Sequence, residues 1–246
     1  MTNRFGVKGT YLDLYPKSEH DPTIYERASI TSDICICRIQ DKQLQILLVK
    51  RKEEYPSDPE ANKWAIPGGF VHIEEHETSE ETAYRKLREK TGIKSITLRQ
   101  LQFYDAPYRD SRWRIASVVY FALVSNEKLS EETIVAGSNA ADVNWFDVRN
   151  LPDMAFDHAI IIDDLHAKLQ ILVSQYPIAF ELLPKEFSWQ DLQNVYESIL
   201  NRSLVAPNFR RKIETLYKLS FQEKSIKPPK GRPAKLLRFH GEKTNF

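Results

Sequence analysis

The sequence predicts an α/β sandwich built on a mixed sheet, followed by an α+β winged helix-turn-helix domain. Two observations support this fold class. Strands alternate with two amphipathic helices over most of the chain, and the remainder follows the order helix, turn, short helix, basic hairpin. We divide the 246 residues into an N-terminal arm at 1–28, an α/β domain at 29–154, a linking helix at 155–177 and a winged helix-turn-helix domain at 178–246.

Alternation of polar and apolar residues predicts the strands of the α/β domain. Residues 30–39 alternate and are rich in β-branched side chains, whereas residues 44–51 are apolar enough to lie at the centre of a sheet. Further strands are predicted at 96–104, 115–124 and 143–146.

Two helices accompany these strands. The first can be capped by Thr78 or Ser79, carries two glutamates in its first turn, where the helix dipole favours carboxylates, and ends at Gly92. The second, predicted at 156–175, shows a helical period in its apolar residues. Helices that alternate with strands in this way are typical of an α/β sandwich.

Composition excludes some classes of protein. The chain has no apolar run long enough to span a bilayer and no signal-peptide core at its beginning, so a cytoplasmic location is expected. A disulfide between Cys35 and Cys37 would be strained, and both are expected to be reduced. We predict no metal site and no cofactor. No histidines form a ligand constellation, and we expect surface or packing positions for His72, His76, His158 and His166.

The end of the chain reads as a winged helix-turn-helix domain. Ser188 can cap a helix that carries one apolar stripe, and residues 201–203 turn the chain. Residues 208–217 form the second helix, and residues 219–221 and 234–239 form the two strands of a hairpin. This order places the second helix as the recognition helix. Phe209 and Ile213 are expected to face the core, and Arg210, Arg211 and Lys212 then point outward.

The net charge of +1 hides a basic end of the chain. Residues 205–246 contain 11 lysines and arginines against three acidic residues, which indicates an anionic partner. A solvated basic face is the alternative. Recognition helices contact bases with their N-terminal residues, and a basic wing reaches the DNA backbone or the minor groove. The candidate DNA-binding residues are Ser188, Gln190, Asn208, Arg210, Arg211, Lys212, Lys230, Arg232 and Lys235.

The stretch at 68–93 resembles the Nudix box, which in its family runs G, five residues, E, seven residues, R-E-U-x-E-E-x-G-U, with U aliphatic. Two departures stand out: lysines replace two glutamates, at Lys86 and Lys90, and the loop from Gly69 to Glu77 is two residues longer than the pattern. The residues that match are Glu77, Arg85, Leu87, Glu89, Gly92 and Ile93.

The altered box predicts a binding pocket without catalysis. Lys86, Glu89 and Lys90 share one helix face, which in Nudix hydrolases carries the carboxylates that hold divalent cations against a diphosphate. An ammonium can pair with a phosphate oxygen but cannot activate a metal-bound water. We therefore expect a pocket that still binds a diphosphate-containing ligand but has no catalytic residue; a helix that only packs against the sheet is the alternative. The rival is an active Nudix pyrophosphatase whose replacement metal ligands come from Glu74, Glu75, Glu77, Glu80 and Glu81.

In the fold that the resemblance implies, the loop at 104–114 faces the same pocket. Its arginines can fork onto phosphate oxygens and its aromatic residues can stack on a base. A solvated loop is the alternative, and Arg85 is alternatively a structural residue that orients carboxylates. The candidate ligand-binding residues are Arg51, Phe70, Arg85, Lys86, Glu89, Lys90, Tyr108, Arg109, Arg112 and Arg114.

The whole order, an altered Nudix box followed by a winged helix-turn-helix, resembles the NrtR family of Nudix-related transcriptional regulators. The resemblance implies a homodimer on double-stranded DNA with a palindromic operator, and a repressor of NAD-metabolism genes released by ADP-ribose or a related nucleotide. Relatives of the same architecture respond to a pentose sugar, and a nucleotide sensor that does not bind DNA is a third reading. The matching stretches are 67–71, 85–91, 109–112, 117–120, 155–158, 208–212 and 231–234.

Overall fold

The computed structural model describes residues 27–137, 140–226 and 234–243. The predicted N-terminal arm, apart from its last two residues, and the predicted tip of the basic hairpin lie outside these ranges. No helix in the described part is long and apolar enough to cross a membrane.

A seven-stranded mixed sheet forms the first domain. Its spatial order is β3-β2-β1-β6-β5, with β4 also paired to β1 and β7 also paired to β2; β1 and β6 run parallel, and the other pairs are antiparallel. This confirms the predicted mixed sheet. The strands are β1 Ser29–Gln40, β2 Gln43–Arg51, β3 Trp64–Ala65, β4 Gly68–Phe70, β5 Arg99–Tyr104, β6 Ile115–Leu123 and β7 Ala140–Asp147.

Five α-helices, two 3-10 helices and a second, two-stranded sheet complete the described residues. The α-helices are α1 Ser79–Thr91, α2 Asn126–Leu129, α3 His158–Gln175, α4 Trp189–Leu200 and α5 Ala206–Leu216. The 3-10 helices cover Ile73–Glu75 and Pro177–Leu182. The second sheet is the hairpin of β8 Tyr217–Ile226 and β9 Ala234–Lys243.

Helix α1 forms because local signals agree at both of its ends. Of the two candidate caps, Thr78 is the one used: its hydroxyl accepts from the Glu81 amide, and the Glu81 carboxylate accepts from the Thr78 amide. The helix ends at Gly92, whose φ of 79° lies in the left-handed region that favours glycine. Both predicted ends of this helix are confirmed.

The alternation of β1 divides the core into two layers. Ile34 and Ile36 pack on the face covered by α1, and Cys35 and Cys37 pack on the opposite face, which is covered by α3. Both cysteines are buried and free, as predicted. The sheet therefore lies between α1 and α3, which is the predicted sandwich.

The winged helix-turn-helix packs onto the α3 side of this sandwich. Buried residues of α4, α5 and the hairpin belong to the same continuous hydrophobic cluster as the sheet residues beneath α3. Phe209 and Ile213 of α5 are buried, and Ser188 caps α4 with its hydroxyl. The predicted cap and the predicted inner face of the second helix are thus confirmed.

Several element bounds differ from the prediction. Helix α3 begins at His158, two residues later than predicted, because Phe156 has a φ of 56° that an α-helix excludes. Strand β5 begins at Arg99, and α5 covers Ala206–Leu216 because Tyr217 already belongs to β8. The short strands β3 and β4, helix α2 and both 3-10 helices are too short for periodicity to predict.

Candidate functional site

A polar cavity of about 220 Å³ lies where α1, β1, β2, β4, the loop at 104–114 and the start of α3 meet. Six of the predicted ligand-binding residues line it, namely Arg51, Phe70, Lys86, Lys90, Arg109 and Arg112. The other four, Arg85, Glu89, Tyr108 and Arg114, do not. The fold therefore gathers the box helix and the arginine loop around one space, but not every candidate side chain turns into it.

The two lysines of the box helix lie at the cavity wall. The Lys86 side chain is 16% exposed, and its Nζ donates to Glu89 Oε2 at 2.8 Å. Its aliphatic part passes over Gly69, where a Cβ atom would lie 2.6 Å from Lys86 Cε. Lys90 forms no ion pair within the described ranges, and its pKa is lowered by burial and then by Lys86. An unpaired, partly buried ammonium favours an anionic ligand.

Arg85 and Glu89 lie outside the cavity because Arg85 holds the preceding loop. Its guanidinium donates twice to the Glu77 carboxylate, at 2.6 Å each, and once to the Phe70 carbonyl oxygen at 3.1 Å. The bonds from Arg85 to Glu77, with smaller contributions from the Thr82 hydroxyl and the His72 amide, lower the pKa of Glu77 to about 2. A weaker bond of 3.3 Å joins Arg85 to Glu89. The alternative reading of Arg85 as a structural residue fits this geometry.

Two arginines of the loop at 104–114 are already paired. Arg109 donates to both oxygens of Asp157, at 2.7 and 2.8 Å, and Arg112 does the same to Asp110, at 2.8 and 3.0 Å. Tyr108 is 96% exposed with a φ of 66°, so its ring points to solvent at the tip of the turn. Arginines fixed in this way keep their charge and part of their donor surface for a ligand.

Aromatic rings and guanidinium groups form one wall of the cavity. The guanidinium of Arg112 lies 5.0 Å from the Phe156 ring centre and 5.5 Å from that of Phe70. Phe70 stacks in turn on Trp113, with ring centres 5.7 Å apart and an interplanar angle of 6°. The Arg51 guanidinium also lies over Phe156, 4.8 Å from the ring centre. Such a wall can hold the planar base of a nucleotide.

Two buried polar residues that the sequence analysis did not select also line the cavity. Asp33 lies within the apolar core of β1, and its Oδ2 accepts from the Ser117 hydroxyl. Burial raises the pKa of Asp33 to about 6. His158, the first residue of α3, is 4% exposed, and its Nδ1 accepts from the Ile66 amide at 2.9 Å. A charged residue in the middle of an apolar strand is the signal available for Asp33, and for His158 the signal is its place in the matching stretch at 155–158.

Cationic side chains outnumber carboxylates in the lining of the cavity, while Asp58, Glu89 and Asp157 pair with three of the cations from outside it. Six cationic side chains line it against three carboxylates. The carboxylates are Asp33, Glu54 and Asp110; the cations are Lys50, Arg51, Lys86, Lys90, Arg109 and Arg112. Such an arrangement suits a ligand that carries more than one negative charge.

The divalent cation that a Nudix fold implies does not fit these residues. Two ammonium groups flank the single carboxylate of Glu89 on the face where metal ligands would be needed. Nor do the proposed replacement ligands gather, since Glu77 is held by Arg85 and Glu81 by the capping box. Across residues 27–137, 140–226 and 234–243, no three metal-binding side chains cluster.

A second candidate surface lies on the winged helix-turn-helix. Arg210, Arg211 and Lys212 are exposed on α5, as predicted from the burial of its other face. The Arg210 guanidinium lies 5.6 Å from the Trp189 ring centre, so the N-terminus of α4 supports it. Asn208, at the start of α5, is exposed as well. The recognition-helix candidates are therefore all accessible.

The remaining DNA-binding candidates differ in exposure and in the hydrogen bonds that their side chains already make. The Ser188 hydroxyl is occupied by the capping box with Asp191, whereas Gln190 is exposed and bonds to Asn194. Lys235 is exposed on β9, with its Nζ 5.8 Å from the Phe221 ring centre. The other two, Lys230 and Arg232, lie outside the described residues.

Comparison with known families matches both parts of the chain. Residues 30–165 match the family model described as the NUDIX domain, and residues 179–239 match the model described as the NrtR DNA-binding winged helix domain. The ADPR responsive transcriptional repressor NtrR of Acinetobacter baylyi is 34% identical over 235 residues, which cover 96% of this chain and 89% of that protein.

Solved structures give the same relationship. The crystal structure of Shewanella oneidensis NrtR complexed with a 27mer DNA has 28% sequence identity and a TM-score of 0.68, over 86% of this chain and 94% of that one. The NUDIX domain of the same protein complexed with ADP ribose has 30% identity and a TM-score of 0.53, over 61% of this chain and 94% of that one. The first of these structures shares the fold described above, and the second shares its first domain.

Proposed function

We propose, because this chain belongs to the NrtR family of Nudix-related regulators, that it is a DNA-binding transcriptional repressor released from its operator by ADP-ribose. The observation that carries the proposal is the unpaired ammonium of Lys90 in a cavity with six cationic side chains. A diphosphate brings two negative charges to such a site. The relative from Acinetobacter baylyi, which is described as ADPR responsive, supports the same effector.

The pocket binds this diphosphate and does not hydrolyse it. Hydrolysis in the Nudix manner requires divalent cations to activate water, and the face of α1 offers lysines where those cations need carboxylates. Lys86 and Lys90 neutralise phosphate charge directly. Binding is therefore independent of magnesium, and no residue of the cavity has a catalytic role.

The charge of the cavity favours a nucleotide over a sugar. A neutral pentose would leave the ammonium of Lys90 without an anionic partner in a partly buried place, which costs free energy. A pentose-responsive regulator is therefore the weaker proposal.

The winged helix-turn-helix provides the DNA-binding surface. The exposed side chains of Arg210, Arg211 and Lys212 project from the N-terminal half of α5, where recognition helices contact the major groove. Two such helices in a homodimer would meet successive major grooves of a palindromic operator. Repression of genes of NAD metabolism is the corresponding regulatory role.

DNA binding to the protein's own upstream region tests this proposal. We expect a sequence-selective and salt-dependent shift of that fragment, reversed by ADP-ribose and unaffected by the pentose arabinose. A matched fragment with scrambled half-sites serves as the control. Release by arabinose alone would favour the sugar-responsive regulator, and absence of any selective shift would refute the repressor.

A separate assay tests the absence of catalysis. Purified protein incubated with ADP-ribose and Mg²⁺ should yield no AMP, while binding of ADP-ribose should be unchanged by EDTA. Magnesium-dependent turnover would instead establish the active pyrophosphatase and exclude a pocket that only binds.

A further inference from the structure

His158 lies at the junction of the cavity and the helix that carries the winged domain. It is the first residue of α3, it lines the cavity, and its side chain is buried. Its neighbour Asp157 holds Arg109 by two hydrogen bonds, so the start of α3 is fixed against the arginine loop. Any group that His158 offers to a ligand is therefore held in one position.

The hydrogen bond from the Ile66 amide determines the tautomer of His158. Nδ1 accepts that hydrogen at 2.9 Å and thus carries no proton of its own. Burial, followed by the charges of Arg109 and Arg51, lowers the pKa of His158 to about 3, so the ring is neutral at physiological pH. A neutral imidazole has one nitrogen-bound proton, which must then reside on Nε2.

Nε2 remains open to the cavity. It has no hydrogen-bond partner among the residues that the structure describes. In the same set of residues, Tyr196 Oη is the only side-chain polar atom that is both enclosed and unpartnered, so Nε2 keeps some contact with solvent. Because His158 lines the cavity, that contact is with the cavity interior. A buried N–H without a partner is a donor available to a ligand.

We propose that the Nε2 hydrogen of His158 is a fixed hydrogen-bond donor to an acceptor oxygen of the effector, a phosphate oxygen or a ribose hydroxyl oxygen. The inference rests on the proposed function, since it assigns a contact within that binding site. Lys86 and Lys90 supply charge on flexible stems, whereas the His158 ring supplies a rigid donor that fixes the orientation of the bound molecule. The contact also places the effector directly on α3.

Two substitutions separate this ligand contact from the structural bond. In His158→Asn, the amide oxygen can replace Nδ1 as the acceptor for the Ile66 amide, but no donor remains at the position of Nε2. In His158→Gln, the longer side chain restores a donor near Nε2 and loses the acceptor. By calorimetry we expect His158→Asn to weaken ADP-ribose binding about tenfold or more. The variant His158→Gln should retain more affinity for ADP-ribose than His158→Asn.

The outcomes distinguish this inference from the proposed function. Failure of the wild-type protein to bind ADP-ribose would overturn the proposed effector, and with it the contact. Wild-type affinity in His158→Asn would overturn the contact alone. If that variant does not fold, ¹⁵N-histidine NMR of the wild-type protein gives the answer. A shift of the Nε2–H signal of His158 on saturation with ADP-ribose supports the donor, and an unchanged signal refutes it.

Discussion

Arg109 and Asp157 form a two-bonded ion pair that joins the arginine loop to the first turn of α3. The bonds measure 2.7 and 2.8 Å, and the two side chains are only 4% and 13% exposed. Asp157 stands at the N-cap of α3, yet its carboxylate makes no capping bond and serves Arg109 instead. The pair thus connects the wall of the effector cavity to the helix beneath the winged domain.

Breaking this pair should destabilise the fold. Asp157→Ala leaves the buried guanidinium of Arg109 without its partner, which we expect to cost about 3–5 kcal/mol and to lower the melting temperature by on the order of 10 °C. Thermal unfolding measures the effect, with the exposed Asp153→Ala as the control. The double variant Arg109→Leu/Asp157→Leu should recover part of the loss; no recovery would mean that the pair is not what Asp157→Ala disrupts.

Removing the Lys90 charge should weaken effector binding. Lys90→Met keeps the aliphatic stem and deletes the ammonium that pairs with phosphate, so we expect the dissociation constant for ADP-ribose to rise about 10- to 100-fold, by analogy with other charged hydrogen bonds. Lys94→Met, at an exposed position after α1, is the matched control. Equal affinities of the two variants would show that the cavity does not hold the diphosphate at α1.

Truncating the exposed arginines of α5 should abolish repression without touching the effector site. Arg210→Ala and Arg211→Ala each remove a major-groove contact that is expected to contribute about 1–3 kcal/mol, so operator affinity should fall tenfold or more. Binding of ADP-ribose should be unchanged. Gel shifts measure operator affinity and calorimetry measures ADP-ribose binding, with Lys94→Ala as the control. Unaltered gel shifts in both arginine variants would refute α5 as the recognition helix.

The buried carboxyl of Asp33 predicts a pH dependence of stability. Its pKa is raised from 3.8 to about 6 by burial, so between these values the folded protein binds a proton that the unfolded chain has released. Stability is therefore lost as pH rises through that window, and the full penalty applies above it. Asp33→Asn cannot ionise and should lack this fall.

Melting temperatures at pH 4 and pH 7 test this dependence. The advantage of Asp33→Asn over the wild-type protein should be larger at pH 7, whereas the exposed Asp163→Asn should follow the wild-type protein at both values. A stability advantage of Asp33→Asn that does not grow with pH would mean that ionisation of the buried Asp33 carboxyl does not destabilise the fold.

Local signals explain which parts of the fold could be predicted from the sequence. The ends of α1 follow from Thr78 and Gly92, and the inner face of α5 follows from Phe209 and Ile213, because neighbours in the chain decide these features. The overall order of sandwich and winged helix follows from periodicity. Short strands such as β4 depend on pairing with distant β1, which no local pattern contains.

The binding cavity shows the limit of the same reasoning. Lys86 and Lys90, which line the cavity, can be predicted from the sequence because they replace glutamates at fixed positions of a known motif. His158 lies in the matching stretch at 155–158, but its bond to the Ile66 amide, 92 residues away in the chain, depends on the tertiary fold. Arg85 matches the Nudix box, but its bonds to Glu77 and to the Phe70 carbonyl oxygen hold its guanidinium outside the cavity. Side-chain direction, unlike residue type, is decided by tertiary partners.

Helix α3 has a consequence for engineering. Its first turn touches the effector cavity, while His166 and Gln170 farther along bond to the Ile199 carbonyl oxygen near the end of α4, and its apolar face belongs to a cluster that reaches the hairpin. A chimera that exchanges the sensing module for another at residue 177 would replace one side of this cluster and keep the other. A functional biosensor chimera will therefore need to take α3 and the surface that it covers from the same parent protein. For the same reason, the parent protein should unfold in a single calorimetric transition.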